Sequence, residues 1–320
     1  MFQYRIWGGR HLEKLLNQQL PGPGKYGEAW ILCDRPEFSS KVANGPLRGQ
    51  TITDLMEESR DRILGDLASR FHHFPLLLKF LDAQEVLSVQ VHPSDEQTDL
   101  LPPGEHGKTE AWVVLQADEK SLVYGGLAPG VDKESFEKAL KAGKSQDQLA
   151  SFKPKVGDAI FVPAGTVHTM GGIVAFEVQE NSDVTFRLYD WGKVDAKTGK
   201  PRELHIQQGL ASMTFPQGPV APVEPVEELT EPVLREKLVE CGHFTMWRMT
   251  GRRDFKVGIK GSARIVVCLE GEGQFGYDDS VYKVRKGETW LLPASVGVCD
   301  FSPRGEIQLI ELGMPTIGSN

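Results

Sequence analysis

The chain has 320 residues, of which 40% are hydrophobic and 25% charged; this is a globular composition with room for one large domain or two ordinary ones. Its 36 basic and 44 acidic residues give a formal net charge of -8, which argues against nucleic acid as the main partner because phosphate backbones recruit basic surfaces. The four cysteines, Cys33, Cys241, Cys268 and Cys299, form no C-x-x-C pair, so neither a thiolate metal site nor a disulfide scaffold is expected.

Met1 to Trp7 lacks the apolar core of a signal peptide. The longest apolar run, Phe74 to Leu81, contains Lys79 and is too short to cross a bilayer. A cytoplasmic protein with no membrane partner is expected. Helices are predicted over His11 to Leu20 and Ile52 to Phe71, the latter with Leu55, Ile63, Leu67 and Phe71 on one face. Two more are predicted over Lys133 to Leu149, with Asp132 as N-cap, and over Glu203 to Met213. Their spacing is too irregular for a β-α-β array. Most of the remaining chain alternates as short strands between Gly, Pro and Asp signals, which predicts a mainly β fold.

In Leu87-Ser88-Val89-Gln90-Val91-His92-Pro93, strand alternation puts Leu87, Val89 and Val91 on one face and Ser88, Gln90 and His92 on the other. The polar face suits the mouth of a barrel; a solvated edge is the alternative. In Gly107 to Leu115, Lys108, Glu110 and Trp112 share a face, again either functional or a solvated edge. Gly157 to His168 has the pattern G-x5-P-x-G-x2-H. Gly157 makes a turn, Ile160 to Val162 form a strand, and Pro163 and Gly165 bend the chain so that His168 re-enters facing inward. In Asn181 to Gly192, a turn precedes a strand with Val184, Phe186 and Leu188 on one face and Thr185, Arg187 and Tyr189 on the other. An inward Arg187 needs an anionic partner: a structural carboxylate, a phosphate or a developing enolate oxygen.

Pro216 to Pro225 is proline-rich and reads as a semi-rigid linker. The expected organisation is a main domain over 1–215 with helical insertions, a linker over 216–232 and a smaller domain over 233–320. A weak internal repeat supports this division. Gly157 to His168 is echoed by Gly287 to Val298, and Ala111 to Leu115 by Ile265 to Leu269, with Val298 where the first copy has His168. Together, Gln90, His92, Glu110 and His168 offer two imidazoles, a carboxylate and an amide oxygen. That donor set suits zinc with an open position, and iron and manganese are compatible with it.

The Gly157 to His168 segment resembles the second signature of cupin barrels, with Gly172 where many cupins carry Asn. Over most of its length the chain resembles the short bacterial form of type I mannose-6-phosphate isomerase. The resemblance is carried by Ile6-Trp7-Gly8-Gly9, Gly27-Glu28-Ala29-Trp30, Phe74 to Ala83, Leu87 to Pro93, Gly107 to Glu110, Pro163 to His168 and Glu180 to Gly192. It implies two cupin jelly-roll barrels, the second degenerate, and one zinc ion per chain on Gln90, His92, Glu110 and His168. It also implies an essential arginine at Arg187 and further active-site residues at Lys79, Lys108 and Asp183. The implied substrate is a phosphorylated hexose, with mannose 6-phosphate and fructose 6-phosphate interconverted through a metal-stabilised cis-enediol. Ala29 and Ala111 depart from the Ser and Cys common at these positions; neither is an implied ligand. Competing expectations are a non-catalytic, metal-dependent sugar-binding cupin and an iron-dependent cupin oxygenase. The sequence leaves the oligomeric state open.

Overall fold

Short alternating segments that bury one face must pair with one another, and the chain does so almost throughout. The computed structural model describes residues 1–195 and 198–315 and is mainly β. It divides into two units. One comprises Met1–Leu12, Gln19–Trp30 and Leu77–Val223; the other comprises Glu13–Gln18, Ile31–Leu76 and the chain from Glu224 onward. No helix among the described residues is long and apolar enough to cross a membrane.

The first unit is built on strands β1 (Phe2–Gly9), β2 (Tyr26–Leu32), β3 (Leu76–Ala83), β4 (Val89–Val91), β5 (Glu110–Leu127), β6 (Leu149–Phe152), β7 (Ala159–Val162), β8 (His168–Glu180) and β9 (Phe186–Tyr189). They form one sheet in the order β1-β2-β3-β8-β4-β9, and β5 leaves this path to pair with β8, β6 and β7. The register sets the site. His168 on β8 pairs with Gln90 on β4, and Gln90 pairs with Arg187 on β9. On the other side of β8, Gln179 pairs with Glu110 and Glu177 with Trp112.

Two apolar clusters back this sheet. Val89, Val91, Val184, Phe186 and Leu188 pack in one of them, as alternation predicts. Leu87 does not join them. It lies in the other cluster with Trp7, Leu81 and Trp112, because the regular strand begins only at Val89. Tyr189 also leaves its expected face to pack beside Val89 and Leu188, owing to a register shift between Arg187 and Tyr189.

The four α-helices of the described residues are shorter than periodicity suggests, and backbone geometry accounts for three of the early ends. Helix α1 (His11–Leu16) stops before Asn17, whose φ is 48°. Helix α2 (Ile52–Leu64) stops at Gly65, whose φ is 60°. Helix α3 (Lys133–Lys141) ends ahead of Gly143, whose φ is 68°. Asp132 caps α3 as expected, accepting from the Ser135 amide at 2.9 Å, while Phe136 and Leu140 bury one stripe of the helix. Helix α4 spans Ile206–Ser212.

In the second unit, two sheets share one core. Met249, Val266, Cys268 and Leu309 come from one sheet, and Phe255, Phe275, Val284 and Phe301 from the other. The internal repeat is visible in the pairing. Phe161 of β7 pairs with Ala111, and Leu291 in the equivalent strand Thr289–Leu292 pairs with Ile265. Helix α2 belongs to this unit although it precedes the proline-rich segment. Its last carbonyls, on Arg62 and Ile63, accept from the Ser295 and Ala294 amides at 3.0 and 2.9 Å. Val298, the counterpart of His168, is 41% exposed.

Candidate metal centre

Three strand ends in the first unit deliver His92, Glu110 and His168 to one point. His92 follows β4, Glu110 opens β5 and His168 opens β8. All three are buried, and each places a ligand atom within 4.8 Å of the others. The bend before His168 is fixed by Gly165. Its φ is 83°, its amide donates to the His92 carbonyl at 2.8 Å, and a Cβ there would meet Thr214 Oγ1 at 2.3 Å.

Both imidazoles have a fixed proton. His92 Nδ1 lies 2.8 Å from the Val184 carbonyl oxygen, and His168 Nδ1 lies 2.8 Å from that of Thr166. A carbonyl only accepts, so each Nδ1 donates and each Nε2 is turned away from it. Both Nε2 atoms face a carboxylate: Glu110 Oε1 is 3.2 Å from His168 Nε2, and Oε2 is 3.6 Å from His92 Nε2. Glu110 Oε1 is buried and has no hydrogen-bond donor. Of the converging atoms, Glu110 Oε1 is the one left without a donor, and the N/N/O donor set fits a borderline divalent metal. Burial and the Lys108 charge hold His92 well below its usual pKa, so it stays a neutral ligand. Burial raises Glu110, but the Lys108 ammonium leads the effects that outweigh it and hold the carboxyl well below the usual range.

The half-buried Gln90 brings its amide Nε2 to 3.3 Å from His168 Nε2. Lys108 donates to Glu110 Oε2 and lies 3.3 Å from His92 Nε2. Burial disfavours the Lys108 ammonium, but Glu110 and Glu177 outweigh it and raise its pKa. Lys79 is set back from the trio. Its Nζ is 3.6 Å from Glu177 Oε1, 3.7 Å from Asp183 Oδ1 and 5.2 Å from the centre of the Trp30 ring. The Asp183 side chain is 42% exposed. Arg187 is one strand beyond Gln90. Its Nη1 donates to the Glu203 carbonyl at 2.9 Å, and its buried Nε has no partner. Lys79, Gln90, Lys108, Glu177, Asp183 and Arg187 all line one cavity of about 410 Å3, within the size range of small-molecule sites.

Sequence patterns alone did not single out Glu177, Glu28, Arg5 or Arg202, all of which line this cavity. Glu177 Oε2 accepts from Trp112 Nε1 at 2.9 Å, and burial raises its pKa. Glu28 Oε2 accepts from Trp30 Nε1 at 2.8 Å, and both its oxygens bind Arg5. Their one sequence signal is a carboxylate inside an apolar strand, as in Ala175-Phe176-Glu177-Val178.

Comparison with known proteins fits this geometry. Residues 1–118 match the family described as Phosphomannose isomerase type I, catalytic domain. Mannose-6-phosphate isomerase ManA of Bacillus subtilis is 36% identical over 301 residues, covering 93% of this chain and 92% of that protein. The mannose-6-phosphate isomerase of Streptococcus mutans is 34% identical over 308 residues, covering 96% and 94%. The crystal structure of mannose 6-phosphate isomerase from B. subtilis superposes with a TM-score of 0.88 at 30% identity, covering 98% and 97% of the two chains.

Proposed function

Since the chain belongs to the type I phosphomannose isomerase family, we propose that it interconverts mannose 6-phosphate and fructose 6-phosphate with one zinc ion that would be held by His92, Glu110 and His168, with Gln90 beside them. The observation that carries this reading is the pair of imidazoles, each held by Nδ1 on a backbone carbonyl with Nε2 turned to Glu110, beside a cavity walled by lysine and arginine.

Aldose and ketose differ by one hydrogen moved between C1 and C2. When bound, zinc supplies Lewis-acid polarisation of the substrate oxygens on those carbons. Asp183 lines the cavity outside the trio, 3.7 Å from Lys79 Nζ, and its Oδ1 is suited to take the C2 proton and return it at C1 of a cis-enediol. Lys79 balances the charge of Asp183 and Glu177. Lys108 holds Glu110 in place and keeps it ionised.

A coupled assay of zinc-reconstituted protein on several aldose 6-phosphates tests the reading. Turnover of mannose 6-phosphate that vanishes with chelator and returns with zinc is the expected result. A protein loaded with zinc that turns over none of them would be a binding module instead.

A further inference from the structure

Gln217 stands in the proline-rich segment, yet its side chain bonds to the bend that delivers His168. The segment runs along the first unit as a strap. The Val220 and Val223 amides donate to the Gly125 and Ala159 carbonyls at 2.9 and 2.8 Å, and Pro222 pairs with Ile160. Proline has no N–H to give, so the few backbone donors of this segment count, and these two tie it to β5 and β7. The close approach relies on glycine. A Cβ at Gly125 would meet Val220 Cβ at 2.7 Å, and one at Gly126 would run into the Gly218 carbonyl oxygen. On the other side of Gln217, the Thr214 amide donates to the Gly165 carbonyl at 3.0 Å.

Held at both ends, the Gln217 amide acts as a substitute peptide group. Its Oε1 accepts from the Val167 N–H at 3.0 Å, and its Nε2 donates to the Gly165 carbonyl at 2.6 Å and the Thr214 carbonyl at 3.1 Å. One orientation of the amide satisfies all three, since a carbonyl takes a donor and an N–H takes an acceptor. The Val167 N–H and the Thr166 carbonyl belong to one planar trans unit, so a hold on the first aims the second the opposite way. That carbonyl accepts from His168 Nδ1 at 2.8 Å, and His168 Nε2 faces Glu110 Oε1 at 3.2 Å. Gln217 itself lies outside the residues that line the cavity. Resting on the reading of the trio as a zinc centre, we propose that Gln217 is a positioning residue for the metal: it fixes the Thr166–Val167 peptide plane and, through it, the aim of the His168 ring. The partner of a ligand imidazole sets how the ring points, and its loss weakens metal binding by about 10- to 100-fold.

The test is zinc affinity, measured by competition with a chromogenic chelator, for the full chain and for Gln217→Met, Gln217→Glu and His168→Ala. Urea curves first fix conditions in which each protein is fully folded. Gln217→Met keeps the length of the side chain and loses all three bonds. Gln217→Glu keeps an acceptor for the Val167 N–H and loses the Nε2 donor, so it reports even if Gln217→Met fails to fold. Expected are zinc binding weakened about tenfold in Gln217→Met, a smaller loss in Gln217→Glu, and faster solvent exchange of the His168 Nδ1 proton by NMR in Gln217→Met. A strap that only adds stability would move the urea midpoint and leave both the zinc affinity and the exchange rate unchanged. Unchanged zinc affinity in Gln217→Met, or a Gln217→Glu protein that binds no better than Gln217→Met, overturns the role of Gln217. If His168→Ala binds zinc as tightly as the unaltered chain, the zinc reading fails and this inference falls with it. If His168→Ala loses zinc while Gln217→Met keeps it, the role of Gln217 alone fails.

Discussion

Glu110 Oε1 lies 3.2 Å from His168 Nε2 and is buried with no hydrogen-bond donor. Glu110 Oε2 lies 3.6 Å from His92 Nε2 and accepts from Lys108. A cation shared by the three would satisfy Glu110 Oε1. His168→Ala, His92→Ala or Glu110→Ala should lose bound zinc and isomerase turnover together. Metal content by mass spectrometry, set beside the coupled assay, checks this. A metal-free variant that still isomerises would remove the centre from the reaction.

Arg187 touches none of the trio, so Arg187→Ala should keep its zinc. Its kcat/KM for mannose 6-phosphate should fall about 100-fold or more, the scale set by losing one preorganised charged donor. Near-normal turnover with the metal in place would reduce Arg187 to a structural role.

Glu28 gives a pH signature. Burial alone would raise its pKa, but Lys79 and Arg5, with hydrogen bonds from Arg5 and Trp30, lower it from 4.5 to about 2. A carboxyl depressed on folding adds stability above its unfolded pKa and loses it as pH falls through the folded one. Its contribution is thus complete above pH 4.5 and fades toward pH 2. The shift corresponds to roughly 3 kcal/mol. Glu28→Gln should be less stable at pH 7 and should lose less stability on acidification. Urea unfolding at pH 7 and pH 3 measures both, and parallel acid curves for the two proteins would contradict the assignment.

Gly165→Ala tests how the fold sets the ligand. The new Cβ would meet Thr214 Oγ1 at 2.3 Å, at a φ of 83° that alanine adopts only with strain. A destabilisation of about 1–3 kcal/mol is expected, with weaker zinc binding because the loop carries His168. Thermal unfolding and zinc titration are the readouts. Unaltered zinc affinity would show that the bend does not govern the ligand.

Strand alternation is a local property with period two, so the sequence by itself determined a mainly β chain. It separated Gln90 from Val89 and Val91, and Arg187 from Phe186 and Leu188. The turn residues Gly157, Pro163 and Gly165 likewise announced where His168 re-enters. Cross-strand register and sheet closure are non-local, and only the tertiary structure decided them. It decided that residues 31–76 join the unit formed from residue 224 onward, and that Leu87 leaves its expected face. It also decided that Lys108 binds Glu110, and that Glu177, Glu28 and Arg202 share the cavity with Arg187. The physical reason is that a buried charge is tolerated only beside its partner, and in this site most partners lie tens of residues away along the chain.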